Sequence, residues 1–249
     1  MTTYTTANFT SGNDTKTTST SAIFNDSVDM QAGDDSVFGT GYQFSQAGAR
    51  VTGVLSMGIG NDILTGNAFS GSVGVFVSSS GVIYGGDGND TLRGRGANGS
   101  FGMYNVDLSS GSIVDMGAGA DLIDAGITTG GGDLLKNAGT ILMGDGNDTI
   151  LTGNIGSGAP GTGTRSISVT GGGTIDMGAG NDIFRGVGVQ TLYGGTGSDQ
   201  VDLMNLSYTP TRLSIIGGPS QRVDVNYGSG VMTTYGFESF KFGSTVITV

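Results

Sequence analysis

Hydrophobic positions in this chain fall in short alternating runs set between glycines. One set reads GVLSM, GVIYG, GSIVDM, GTILM and GTIDM, and each of these runs leads into a glycine turn. A second set follows the turns: DILTG, DTLRG, DLIDAG, DTILTG and DIFRG. A third, such as VGVFVS, GMYNVDL or RSISVT, lies in the Gly/Ser-rich stretch leading to the next unit. Alternation over so few residues is the period of a half-buried strand, not of a helix. The pattern predicts three short strands and three turns per unit.

The turn between the first two runs repeats as [MY]-G-x-G-[NDAS]-D. Its aspartates are Asp35, Asp62, Asp90, Asp121, Asp148, Asp182 and Asp199, at intervals of 27, 28, 31, 27, 34 and 17 residues. In the first copy Gln31 replaces the leading glycine, and the copies at Tyr84 and Tyr193 read as one residue longer. SGNDTK at Ser11–Lys16 offers an eighth aspartate, Asp14. Units of 20–50 residues at a near-fixed period stack on one another. The expected fold is an all-β, right-handed parallel β-solenoid with coils of about 27 residues, three strands each, and the Asp/Gly turns on one edge. Residues 1–29 form an N-terminal cap or assembly arm, 30–203 the repeats and 204–249 a C-terminal cap. Longer intervals place insertions in outer loops, as at GNIGSGAPGTGTR.

Composition narrows the function. Fifty of 249 residues are glycine, and Cys, His and Trp are absent. Disulfides, thiolate metal sites, Ser–His nucleophiles and histidine bases are thereby excluded. Lysines occur only at Lys16, Lys136 and Lys241, and no clustered acids or bases suggest a polysaccharide-cleaving groove, so no enzyme is expected. The column Thr65, Arg93, Asp124, Thr152, Arg185 is no regular threonine ladder, which sets ice binding aside. The net charge of −11 argues against nucleic acid. No apolar stretch is long enough to insert in a membrane, and the first twenty residues carry neither the basic start nor the apolar run of a signal peptide.

Of the 21 acidic residues, only Glu238 is not aspartate. Stacked identical turns lie ~4.8 Å apart, and a column of carboxylates at that spacing repels itself. A positive species between the turns is therefore expected. Calcium takes six to eight hard oxygens from carboxylates and carbonyls. The expected ligands are the seven motif aspartates, with Gly33, Gly60, Gly88, Gly119, Gly146, Gly180 and Gly197 turning at φ > 0 to aim carbonyls. Asn61, Asn89, Asn147 and Asn181 are placed at the same site, in a left-handed conformation. Seven turns enclose six gaps, so about six Ca2+ would bring twelve positive charges against −11. Asp87 and Asp145 read as solvated; Asp115 and Asp176 are either outer ligands or exposed strand residues. Met57, Met116, Met143 and Met177 form a core column, in which Tyr84 and Tyr193 are also placed.

GGDGNDTLR at Gly85–Arg93 and GGTGSDQVD at Gly194–Asp202 resemble the nonapeptide of RTX (hemolysin-type) calcium-binding repeat proteins. Other copies carry Met for the first glycine. Family repeats run in tandem, with two turns per coil of about 18 residues and calcium on both edges; here the turns are isolated, so a three-sided, one-edged solenoid is expected. The tail YGFESFKFGSTVITV at Tyr235–Val249 is similar to the segment that follows such arrays, which caps the solenoid and lies where the family's type I secretion signal is found. The resemblance implies a secreted, extracellular or cell-surface protein that folds on meeting calcium. The expected function is a calcium-binding structural protein that self-assembles, with itself as partner, into a surface layer, extracellular matrix or filament. An adhesin or virion decoration module that binds cell-surface glycan through loops 67–80, 95–112 and 154–173 is the alternative. A non-catalytic accessory module of a polysaccharide enzyme is a third.

Overall fold

The computed structural model describes all residues except 42–45, 70–71, 96–103, 126–134, 153–167, 205, 207–208, 218–220 and 229. Loops 67–80, 95–112 and 154–173 lie partly or largely outside the described residues. The chain winds as a parallel β-solenoid with three faces. The first face stacks Thr2–Thr3, Ala22–Phe24, Ala49–Val51, Val75–Val77, Val106–Leu108, Leu135–Asn137 and Val169–Thr170. The second runs Ser27–Asp29, Val54–Ile59, Val82–Asp87, Ile113–Ala118, Thr140–Leu142, Thr174–Asp176 and Thr191–Tyr193. The third runs Thr15–Thr17, Ser36–Gly41, Ile63–Ala68, Thr91–Arg95, Leu122–Asp124, Thr149–Leu151, Ile183–Arg185 and Gln200–Asp202. All these pairings are parallel and in register: Val82, for example, sits between Val54 and Ile113.

Register turns the alternating runs into columns. Inward positions of the second face stack Val28, Leu55, Ile83, Val114, Ile141, Ile175 and Leu192; those of the third stack Val37, Leu64, Leu92, Ile123, Ile150, Phe184 and Val201. All are buried. Each coil needs only a few such side chains, because its neighbours above and below complete the core. That is how a chain with 36% hydrophobic residues closes one. Met57, Met116, Met143 and Met177 line the interior as expected, and Met30 joins them. Tyr84 and Tyr193 do not join them. Tyr84 pairs with Ser56 and Asp115, and Tyr193 with Asp176, so both tyrosines face outward, 44% and 40% exposed. The methionine position is filled in those coils by Gly85 and Gly194, and the turn has one length throughout.

Residues 1–29 make the first turn of the solenoid and supply a strand to each face. The 17-residue step from Asp182 to Asp199 stays on the same edge: Ala179 and Gly180 pair with Thr196 and Gly197, and Ile183–Arg185 pairs with Gln200–Asp202. That coil is short because its first face shrinks to one bridge, Val169 with Gly188. Beyond it the pairing changes sense. Val231–Tyr235 continues the second face in parallel, then pairs antiparallel with Arg222–Asn226, which pairs antiparallel with Leu213–Gly217. Ser239–Phe242 continues the third face and is closed by antiparallel Thr245–Thr248.

The second motif glycine is required twice over. Gly146 has φ +142, and a Cβ on it would lie 1.5 Å from the Gly119 carbonyl oxygen. Gly172 also has positive φ, +72, but opens into free space. Gly172→Ala should therefore cost only the left-handed strain, about 1 kcal/mol. Gly146→Ala should cost several times as much, because the two coils must separate. Urea unfolding of both variants tests this, and equal losses would contradict it.

Candidate metal centre

The second face meets the third at the aspartate turns, and register brings all seven carboxylates into one buried column. Their hydrogen bonds form a ladder. The backbone N–H of Asp35 donates to Oδ1 of Asp62, Asp62 to Asp90, Asp90 to Asp121, Asp121 to Asp148, Asp148 to Asp182, and Asp182 to Asp199, at 2.7–3.0 Å. Asp14 begins it by donating to Asp35 Oδ1 at 2.7 Å, while its own carboxylate turns outward to Lys16 at 2.9 Å. Glu238 ends it by accepting the Asp199 N–H at 2.6 Å. Sequence reasoning missed this role for Glu238. The signal was the Tyr235-Gly236 pair, which repeats Tyr193-Gly194 ahead of the only glutamate; the shorter turn there is spanned by the longer side chain.

A second ladder runs beside the first in the opposite sense. Asn89 donates its N–H to Asn61 Oδ1, Ala120 to Asn89, Asn181 to Asn147, and Ser198 to Asn181. Asn61 donates to Asp34 Oδ1 through both its backbone and its side-chain amide. None of Asn61, Asn89, Asn147 or Asn181 has positive φ, which corrects the expected left-handed conformation. Their side chains bridge coils instead. Gly33, Gly60, Gly88, Gly119, Gly146, Gly180 and Gly197 all have positive φ, from +114 to +153, as does Gln31, at +76, in the place of the first copy's leading glycine. Asp87 and Asp145 are exposed, and Asp115 and Asp176 are partly buried on the outward side of the second face.

Each motif carboxylate keeps one oxygen without a partner. Oδ2 of Asp35, Asp62, Asp90, Asp121, Asp148, Asp182 and Asp199 is buried and accepts no hydrogen bond. Neighbouring charges ~4.8 Å apart repel by about 3.5 kcal/mol at an effective dielectric near 20. One hydrogen bond to a charged acceptor contributes about 1.5–3 kcal/mol, too little to offset two such neighbours. Burial accordingly pushes the carboxyls up, against the N–H bond from the preceding coil: Asp62 and Asp121 to about 7, and Asp90, Asp148, Asp182 and Asp199 to about 6. Asp35, at the N-terminal end of the column, is raised as well.

The column thus needs protons or cations. The orphaned carboxylate oxygens are hard donors of the kind a hard cation takes. Among the described residues no three acidic groups lie close enough to share one ion. A cation in these turns would draw most of its oxygens from carbonyls and water. Fold and site together define a parallel β-solenoid with an internal carboxylate ladder. No protein-family model matches the chain, and no curated protein matches its sequence.

In chelator, the raised pKa values mean that the folded chain holds more protons than the unfolded one. Their stabilising contribution is complete below about pH 4 and is lost as pH rises through 6–7. Thermal melts in chelator should show Tm falling across that window; a rise would contradict the raised carboxyls. Asp121→Asn keeps the acceptor and removes a charge from mid-column. At pH 7.5 it should raise the folded fraction in chelator, by a stabilisation of about 1 kcal/mol, and shrink the gain in folded fraction on adding calcium. Lower stability in chelator would show that the charge is not the burden.

Proposed function

We propose that this is a secreted calcium-binding structural protein, related to the RTX repeat proteins, whose solenoid self-assembles into a surface layer, extracellular matrix or filament. The observation that carries this reading is the column of seven buried aspartates, each with one unsatisfied oxygen, on a single edge. Asp35, Asp62, Asp90, Asp121, Asp148, Asp182 and Asp199 hold about six calcium ions, with carbonyls of the neighbouring glycines completing the shells. In this reading the ions are structural and no reaction is catalysed. Without calcium the charged column opposes stacking, and the chain stays loose in the calcium-poor cell interior. Outside, calcium at millimolar levels closes the coils, since metal binding and folding are one equilibrium. The C-terminal segment after the repeats caps the solenoid and carries the secretion signal.

A binding-module reading is favoured by one specific feature. The connection from the third face to the first carries the insertions: Thr91–Arg95 to Val106–Leu108, Leu122–Asp124 to Leu135–Asn137, and Thr149–Leu151 to Val169–Thr170. These connections, long in sequence and mostly outside the described residues, suit an adhesin that presents them to glycans.

A calcium titration of chelator-stripped protein, followed by circular dichroism and light scattering together, separates the readings. A coil-to-β transition near millimolar calcium with growth in particle size is the expected result. The same transition without growth favours the adhesin. A chain fully folded and calcium-insensitive in excess chelator would refute the calcium mechanism.

A further inference from the structure

The two ends of the solenoid are built differently. At the N-terminal end two of the three edge strands are charged or covered, and the third, Thr2–Thr3, is only two residues long. Thr15–Thr17 carries Lys16, and Ser27–Asp29 ends in Asp29, whose N–H donates to Thr6 Oγ1 at 2.9 Å. Gln31 Nε2 donates to the Phe9 carbonyl at 2.7 Å. Tyr4 stacks on Phe24 and packs against Phe9, and all three are buried.

At the C-terminal end Arg212 Nη1 donates to the Asn226 carbonyl at 3.1 Å and Arg222 pairs with Asp224 at 2.7 Å, but the outermost strand of the second face is bare. Leu213–Gly217 is the last strand of its sheet among the described residues, paired on one side only, with Arg222–Asn226. Its sequence, LSIIG, contains no charge and no proline. Ile215 and Ile216 are 55% and 54% exposed. An uncharged apolar edge strand is a template for pairing with another chain. Charge selects the partner. The second face and its turn edge expose Asp29, Asp87 and Asp145 on a chain of net charge −11, so two copies meeting side by side there would set carboxylates against carboxylates. The neutral end is where like copies can approach.

We propose that Leu213–Gly217 pairs antiparallel with the same strand of a second copy across a two-fold axis near Ile215, joining two solenoids tail to tail. Head-to-tail growth needs two open ends, and the N-terminal end is closed; an isologous contact closes on itself. The inference rests on the self-association part of the proposed function and specifies its first contact. Any larger assembly must then be built from dimers by other surfaces.

The test is light scattering on the calcium-loaded full chain across a concentration series. The expected mass is twice the 24.9 kDa of the chain. Ile215→Lys/Ile216→Lys should halve that mass and leave circular dichroism unchanged, because both side chains are exposed. The chain has no cysteine, so Ile215→Cys should form a disulfide-linked dimer under oxidation, whereas Thr17→Cys at the closed end should not. A monomer at every concentration, or a dimer that survives the double lysine variant, overturns the proposal. A calcium-folded monomer would sink this inference together with the self-assembly reading and leave the calcium reading standing; a calcium-loaded oligomer in which Ile215→Cys does not crosslink would sink this inference alone. A calcium-insensitive chain that still dimerises through this edge would sink only the calcium reading.

Discussion

One bond recurs through the structure: a backbone N–H in one coil reaching Oδ1 of the aspartate in the next. It starts at Asp14 and ends at Glu238. A stacked turn leaves its N–H groups aimed along the axis, with no strand ladder to receive them. The aspartate side chain is short enough to supply an acceptor at the same level. Replacing it by glutamate works only where the turn itself is shorter, as at Glu238. The same bond creates the central problem of the molecule, because fixing Oδ1 on the donor leaves Oδ2 buried and unpaired. Stability therefore depends on what else reaches the column.

This constraint explains where the chain varies. The distance from Met57 to Asp62 recurs from Gly85 to Asp90 and from Met177 to Asp182, because the ladder bond tolerates no slip. Glycine is forced at the stack, where Gly146 lies against the Gly119 carbonyl. Away from this edge the chain is free to lengthen, or to shorten to a single bridge at Gly188. The first face can be reduced without cost to the ladder, since no rung passes through it.

The coils were legible in the sequence because alternation and the Asp interval are local signals that stacking preserves. Three features were not. Tyr84-Gly85-Gly86 read as a lengthened turn, since nothing local shows that Gly85 takes the core position of a methionine while the tyrosine faces outward. The asparagines looked like left-handed turn residues, but their amides are satisfied by the neighbouring coil, a contact that exists only after stacking. The carboxylates also each accept a backbone N–H of the adjacent coil at one oxygen, a contact that no side-chain pattern reveals.

The distribution of charge follows from the same geometry. Cations pair with acids one coil away: Arg93 and Arg95 with Asp124, Lys136 with Asp107, and Lys241 with Asp202, at 2.7–3.2 Å. These pairs sit on the first and third faces, where register places opposite charges side by side. They cancel there, so the excess negative charge collects in the buried column and along the second face and its turn edge. A surface ion pair contributes little to stability, but arranged this way it removes every such lysine or arginine from competition for the column. The buried aspartates are left without a side-chain counter-charge of their own, in turns stacked too tightly to admit a lysine, so the charge of the column must be met by protons or by a species from solvent.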